Sequence, residues 1–190
     1  MADHLQLDGT ALRTLAHPLR SRLLSELRTH GAATATDLAR RLDTNTGATS
    51  YHLRKLAEVD LVVETGEGTG KQRYWAAAQT SHGWHDSDFT DDPDSAAAAG
   101  WLRQHYWGMF NEKMAHWEQE RPRWPAEWGD AAHFSDLLVT MDVGQLNDLM
   151  GELEEVVARH RQRAIDSPAP GARQVIVLLN AMPTDPGLRP

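Results

Sequence analysis

Leucines set the rhythm of the first sixty residues. Leu12 and Leu15 stand three apart behind Asp8, whose carboxylate suits the N-terminal cap of a short helix. Pro18 fits the first turn of a second helix, where its missing N–H costs nothing. Leu19, Leu23, Leu24 and Leu27 follow at helical spacing as far as His30-Gly31. Thr36 is read as the cap of a helix Asp37–Leu42, with Leu38 and Leu42 four apart on one face. Asp43-Thr44-Asn45 is turn chemistry, and Asn45 caps a further helix from Thr46 to about Glu58 that buries Leu53 and Leu56. There the period shortens. Leu61-Val62-Val63 reads as a strand, Glu64 to Gly70 as a loop punctuated by Gly66, Gly68 and Gly70, and Lys71–Ala76 as the returning strand.

The last three of these helices and a glycine-tipped hairpin predict a winged helix-turn-helix domain over residues 1–78. Residues 79–95 are polar and acidic, with Asp86, Asp88, Asp91, Asp92 and Asp94 around Pro93, and predict a linker. Beyond it the pattern gives a tryptophan-rich helix, Ala96 to Glu118, then a loop holding Pro122, Pro125 and Gly129, and a strand Phe134–Met141. An amphipathic helix Val143–Arg163 follows, with Leu146, Leu149, Met150, Leu153, Val156 and Val157 in one stripe. Val175–Leu179, five apolar residues between turn signals, reads as a buried strand. The expected class is α+β, an N-terminal winged helix with a C-terminal α/β domain over 96–190 for dimerisation or effector binding.

Composition narrows the chemistry. No run of about eighteen apolar residues occurs, which excludes a transmembrane helix. Met1 to Asp8 has neither a basic start nor an apolar stretch, so no secretory signal is expected and the chain reads as cytoplasmic. Cysteine is absent, which removes disulfides, thiolate metal sites and cysteine nucleophiles together. The net charge of −8 argues at first against nucleic acid. Its distribution does not: residues 1–77 hold ten Lys/Arg against nine Asp/Glu, and residues 78–190 nine against eighteen. A local cationic patch is what phosphates sense, because salt screens charges beyond about 8–10 Å.

The segment from Asp37 to Leu56 has helix-turn-helix spacing, with Ala39 small enough for close helix approach. On the longer helix, Thr46, Gly47, Ser50, Tyr51 and Arg54 fall opposite Leu53 and Leu56, and its first turn is the part of such a helix that enters a major groove. The candidate DNA-binding residues are Asn45, Thr46, Gly47, Thr49, Ser50, Tyr51, His52, Arg54 and Lys55, with Lys71 and Arg73 from the hairpin. His52 sits near the border with the core, where packing or a phosphate contact suits it better than a base contact.

Taken as a set, Leu15-Ala16-His17-Pro18-Leu19-Arg20, Asp37-Leu38-Ala39, Ser50-Tyr51-His52-Leu53-Arg54-Lys55-Leu56 and Gln72-Arg73-Tyr74-Trp75 resemble ArsR-type winged-helix regulators over about residues 10–77. The resemblance implies a homodimer on an inverted repeat of double-stranded DNA, with the Thr46 helix in the groove and the glycine-rich wing beside it. One departure is Asp60, where such proteins carry glycine; Asp tolerates the left-handed turn better than most residues.

Many such regulators sense metals. The cysteine-based site has no counterpart in Ala33-Thr34-Ala35-Thr36. His105 and His116 share a helix face about 16 Å apart. Arg103 and Gln119, however, stand where a metal-binding motif of that spacing wants carboxylates. No metal or cofactor is expected; a metal-responsive repressor using those two histidines is the lesser alternative. Trp101, Trp107, Trp117, Trp124 and Trp128 are candidates for an effector pocket, or else anchors for packing. Glu152, Glu154 and Glu155 form a solvated face, and no phosphate loop or nucleophile motif occurs, so enzymatic activity is not expected. The expected function is a sequence-specific transcriptional repressor. The alternative from another class is a protein-interaction module whose winged helix no longer binds DNA.

Overall fold

The computed structural model describes residues 4–68, 72–132 and 135–184. A short strand β1 (His4–Gln6) leads into α1 (Gly9–Leu15), which opens where Asp8 Oδ1 accepts from the Ala11 N–H at 2.8 Å. Pro18 begins α2 (Pro18–His30). Its cap is the His17 ring, whose Nδ1 accepts from the Leu19 N–H at 3.1 Å.

The next helix differs from expectation. It is α3 (Ala35–Arg41), and its cap is Thr34, not Thr36. The two-residue strand β2 (Ala33–Thr34) fixes Thr34 at the helix mouth, where its hydroxyl oxygen accepts from the Asp37 N–H at 3.1 Å. Asn45 caps α4 (Thr46–Ala57) as expected, its Oδ1 accepting from the Ala48 N–H at 2.7 Å. After α4 the chain turns through Asp60 at φ 56°, the left-handed turn that the sequence assigns to this residue.

The wing hairpin is β3 (Val62–Glu64) and β4 (Tyr74–Ala77), antiparallel, with Val63 opposite Ala76. The returning strand begins three residues later than expected, and Thr69, Gly70 and Lys71 lie outside the described residues. On the other side of β4 lies β2, with Ala33 opposite Trp75, giving a three-stranded sheet in the order β2-β4-β3. Leu12, Leu15, Leu23, Leu38, Leu53, Leu56 and Leu61 are fully buried in one core with Trp75.

The stretch read as an acidic linker is folded. β5 (Ser81–Gly83) runs parallel to β1, with His4 opposite Ser81. A 3₁₀ turn, Asp86–Phe89, then sends Phe89 into the core. Asp92 caps the long helix α5 (Pro93–Glu120) by accepting from the Ser95 N–H at 3.1 Å, and pairs with Arg13 of α1 at 2.7 Å. Asp86 pairs with Arg103 at 2.6 Å. The acidic side chains that suggested a solvated tether therefore serve as a cap and as ion pairs. Ser95, Ala98, Ala99 and Leu102 bury the first half of α5. A Cβ on Gly9 would stand 2.6 Å from Ser95 Oγ, so glycine is what permits this close approach of α1. The first compact unit therefore runs through residue 129 and includes the whole of α5, instead of ending at residue 78. At its end come a 3₁₀ turn, Arg121–Arg123, and α6 (Ala126–Ala131), which continues just past that limit.

The second unit, residues 130–190, holds α7 (Val143–Asp166). A capping box starts it: Asp142 accepts from the Gln145 N–H at 2.9 Å, and Gln145 accepts from the Asp142 N–H at 3.0 Å. The expected α/β layer is absent among the described residues of this unit. Residues 135–141 and Val175–Leu179 form no strand, and Val175 is 63% exposed; Phe134 lies outside the described residues. Apolar β-branched side chains favour extended backbone, but a strand also needs an edge to hydrogen-bond with, and neither segment has one. No described residue of this unit is buried, and no helix of the described chain is long and apolar enough to cross a membrane.

Candidate nucleic-acid interface

Helix α4 divides its residues between two duties. Leu53 and Leu56 are fully buried, whereas Thr46, Gly47, Tyr51 and Arg54 are exposed and Ser50 is half-buried. Arg54 forms no ion pair among the described residues and is free to find an external anion. Gly47 keeps the first turn bare. A Cβ there would stand 3.3 Å from the Asn45 oxygen that caps the helix. Asn45 is exposed, but its side-chain oxygen is committed to that cap.

Two expected contacts point elsewhere. Thr49 is fully buried and its hydroxyl donates to the Asn45 carbonyl at 3.0 Å, so it supports the turn of the helix and cannot reach a duplex. His52 turns inward: its ring lies 4.4 Å from that of His17, centroid to centroid, and meets Tyr51 edge-on at 5.2 Å. Burial is the main reason its pKa is lowered, with the neighbouring His17 and Arg20 adding to the effect.

The remaining cations are paired. Lys55 donates to both carboxylate oxygens of Glu58, at 2.7 and 3.0 Å, and that hydrogen bond raises its pKa. Arg73 donates to Glu64 Oε1 across the hairpin at 2.6 Å. Both are exposed enough for a phosphate to compete with the carboxylate, and such surface pairs contribute little to stability, about 0–1 kcal/mol. Lys71 lies outside the described residues.

The α3 mouth, α4 and the wing enclose a groove of about 570 Å³. Its walls include Thr36, Thr46, Ser50, Arg54, Gln72 and Arg73. Thr36 and Gln72 are absent from the expected set. With Thr34 as the cap, Thr36 is left to line the groove. The pattern Thr34-x-x-Asp37, a hydroxyl three residues before a carboxylate, was the available signal. Asp37 also lines the groove and stays ionised, its pKa lowered chiefly by the hydrogen bond from the Thr34 hydroxyl at 2.7 Å and further by Arg40. Phosphates are therefore better placed on the Arg54–Arg73 side than at the α3 mouth.

The five tryptophans do not form one pocket. Trp101 stacks on His105, with centroids 4.7 Å apart and planes 13° apart, and packs against the core. Trp117, Trp124 and Trp128 touch in series at 6.1 and 5.8 Å, and Trp117 lies about 24 Å along α5 from Trp101. His105 is engaged by Ser21 Oγ at 2.8 Å, while His116 is exposed. No group of three potential metal ligands occurs among the described residues.

A capped positioning helix, a tight turn, a second helix with an exposed polar side, and a hairpin beside it define a winged helix-turn-helix domain, the class found in DNA-binding transcription regulators. Residues 15–65 match a family model described as a helix-turn-helix domain, a span covering α2, β2, α3, α4 and β3. No curated protein matches the chain. The domain points to a DNA-binding regulator.

Proposed function

We propose that this chain is a sequence-specific transcriptional repressor of the ArsR type, acting as a homodimer on an inverted repeat. The observation that carries the reading is the groove in which Thr46, Ser50 and Arg54 of α4 stand beside Arg73 of the wing, with Thr46 and both arginines exposed. A duplex seated there would present base edges to the first turn of α4 and phosphates to the two arginines. Half-sites would lie about one helical turn apart.

Selection from a random duplex pool, followed by gel shift, tests this directly. Arg54→Ala is expected to weaken the selected site by roughly 5- to 150-fold, the range for losing one good base or phosphate contact. Arg73→Ala should reduce the slope of log affinity against log salt by about one. Retention of full affinity and slope in both variants would refute the placement.

Support for the homodimer comes from α5. Trp107, Phe110, Met114 and Trp117 recur at spacings of three and four, and Trp107 and Met114 are 45% and 40% exposed. That is the seam by which two helices pair. Sedimentation equilibrium at micromolar concentration should give about twice the 21.2 kDa chain mass; a single monomeric species would remove the dimer from this account. The competing reading, a protein-interaction module, draws on the net charge of −8 and on the carboxylates that neutralise Lys55 and Arg73. It predicts that the random pool yields no enriched sequence.

A further inference from the structure

Midway along α4 two partly buried histidine rings meet at a tilt of 38°. His17 uses Nδ1 to accept the Leu19 N–H, so its single proton resides on Nε2. His52 has its Nδ1 buried and without a hydrogen-bond partner. An imidazolium carries a proton on Nδ1 as well as on Nε2. In His17 that proton would face the donor it now caps. In His52 it would be buried with no acceptor. Two cations would then stand 4.4 Å apart, centroid to centroid, beside a third at Arg20.

Among the described residues no carboxylate acts on either ring. Arg20 is held on α2 by a hydrogen bond to the Thr14 carbonyl of α1. On the elements that pack together here, Glu58 is engaged by Lys55, Asp37 by Thr34 and Arg40, Glu64 by Arg73, and Asp92 by Arg13 and Ser95, while Glu26 of α2 lies more than two turns from His17, beside His30 at 3.7 Å. Tyr51 presents an edge to His52, and His105 of α5 reaches α2 only through Ser21, one turn beyond His17.

We infer that the His17–His52 pair is an acid-sensitive latch that holds α4 in its DNA-reading position and releases it on protonation. His52 is part of α4, between Tyr51 and Leu53, while His17 is the N-cap of α2. Repulsion across the pair therefore acts between the recognition helix and the helix it packs on, and the cheapest relief moves the Thr46–Arg54 surface. The sign is diagnostic. A protein of net charge −8 ordinarily binds DNA more tightly on acidification, because it becomes less negative. The latch predicts the opposite.

The inference rests on the regulator reading for its DNA consequence but not for the latch itself, and two measurements keep them apart. The first uses the full chain without DNA. Histidine Cε1 and α4 amide resonances are followed from pH 7.5 to 5, and the α4 amides should shift together with the His17 and His52 rings, in wild type and not in His17→Asn/His52→Gln. Asn keeps an N-cap acceptor at position 17. Amides that ignore those rings overturn the latch. The second compares affinity for duplex selected at pH 7.5 between pH 7.5 and 5.5, with near-UV circular dichroism confirming a folded chain. Wild type should lose about tenfold or more, the response to one unit of pKa difference between states. The double variant, and His17→Asn alone in smaller degree, should lose the pH response. Wild-type affinity that holds or rises at pH 5.5, or an equal fall in the double variant, also overturns the latch. Failure to select any duplex counts against the regulator reading, and the resonance experiment then decides the latch alone.

Discussion

Leu53→Ala is expected to destabilise the first unit by about 2–5 kcal/mol, the cost of truncating a fully buried leucine and leaving a cavity. Leu53 has no exposed surface and lies on the inner side of α4, where it joins Leu12, Leu23, Leu38 and Leu56 in the core. Against a typical net stability of about 5–15 kcal/mol this is a large fraction. The urea midpoint should fall without a change in slope. At temperatures where the variant remains folded, its affinity for a selected duplex should stay close to wild type, because no groove side chain is altered. The neighbouring Arg54→Ala should show the reverse: an unmoved midpoint and weakened binding. Adjacent residues with opposite signatures would be direct evidence that α4 has a structural and a reading side. Equal effects on both readouts in both variants would mean the two sides are not separable.

The second large effect is acid lability centred on His82. Its ring links α2 to α5: Nδ1 accepts from Arg28, and Nε2 donates to the Tyr106 hydroxyl at 2.9 Å. Burial, then the Arg28 guanidinium, then His4 push its pKa down from 6.5 to about 3, and burial pushes the Tyr106 hydroxyl up. In the unfolded chain His82 takes its proton near pH 6.5, but in the folded chain only near pH 3. Its contribution to stability is therefore complete above pH 6.5 and declines as pH falls, by up to about 1.4 kcal/mol per unit, until the folded group titrates. His17, His52 and His105, whose pKa values are also lowered, act in the same direction. Urea unfolding at pH 7, 6, 5 and 4 should show this decline. His82→Gln should remove about one proton's worth of the slope. It should also lower stability at pH 7 by about 1–3 kcal/mol, because Arg28 and Tyr106 lose a well-placed partner. A wild-type curve flat between pH 6.5 and 4 would contradict the account.

Much of the helix-turn-helix domain is legible along the chain because its signals are local. Asp8 and Asn45 mark helix starts by accepting from N–H groups three residues on, Pro18 marks one by lacking an N–H that the first turn does not use, and Asp60 makes its turn from its own backbone preference. The inner and outer sides of α4 follow from helical periodicity alone. Errors arise where a residue's role depends on a distant partner. Thr36 and Thr34 are both threonines able to cap, the carboxylate of Asp37 three residues on favours Thr34, and pairing of Ala33 with Trp75 fixes Thr34 at the helix mouth. Asp92 reads as solvated charge until Arg13, seventy-nine positions away, is brought beside it. His52 could face a phosphate or the core with equal plausibility, and the decision belongs to His17 on another helix.

The amino-acid order by itself thus determined that this is a winged helix-turn-helix protein, and which side of Thr46–Ala57 meets the core. Periodicity and capping are short-range physics, and they survive without knowledge of the rest. Only the tertiary structure decided that residues 79–95 are part of the folded unit, that Thr49 and His52 face inward, and that Thr36 and Gln72 join the groove. It also decided that the apolar run Val175–Leu179 forms no strand. Those outcomes depend on which edge, ring or charge the fold brings alongside, and a partner remote in sequence leaves no periodic trace.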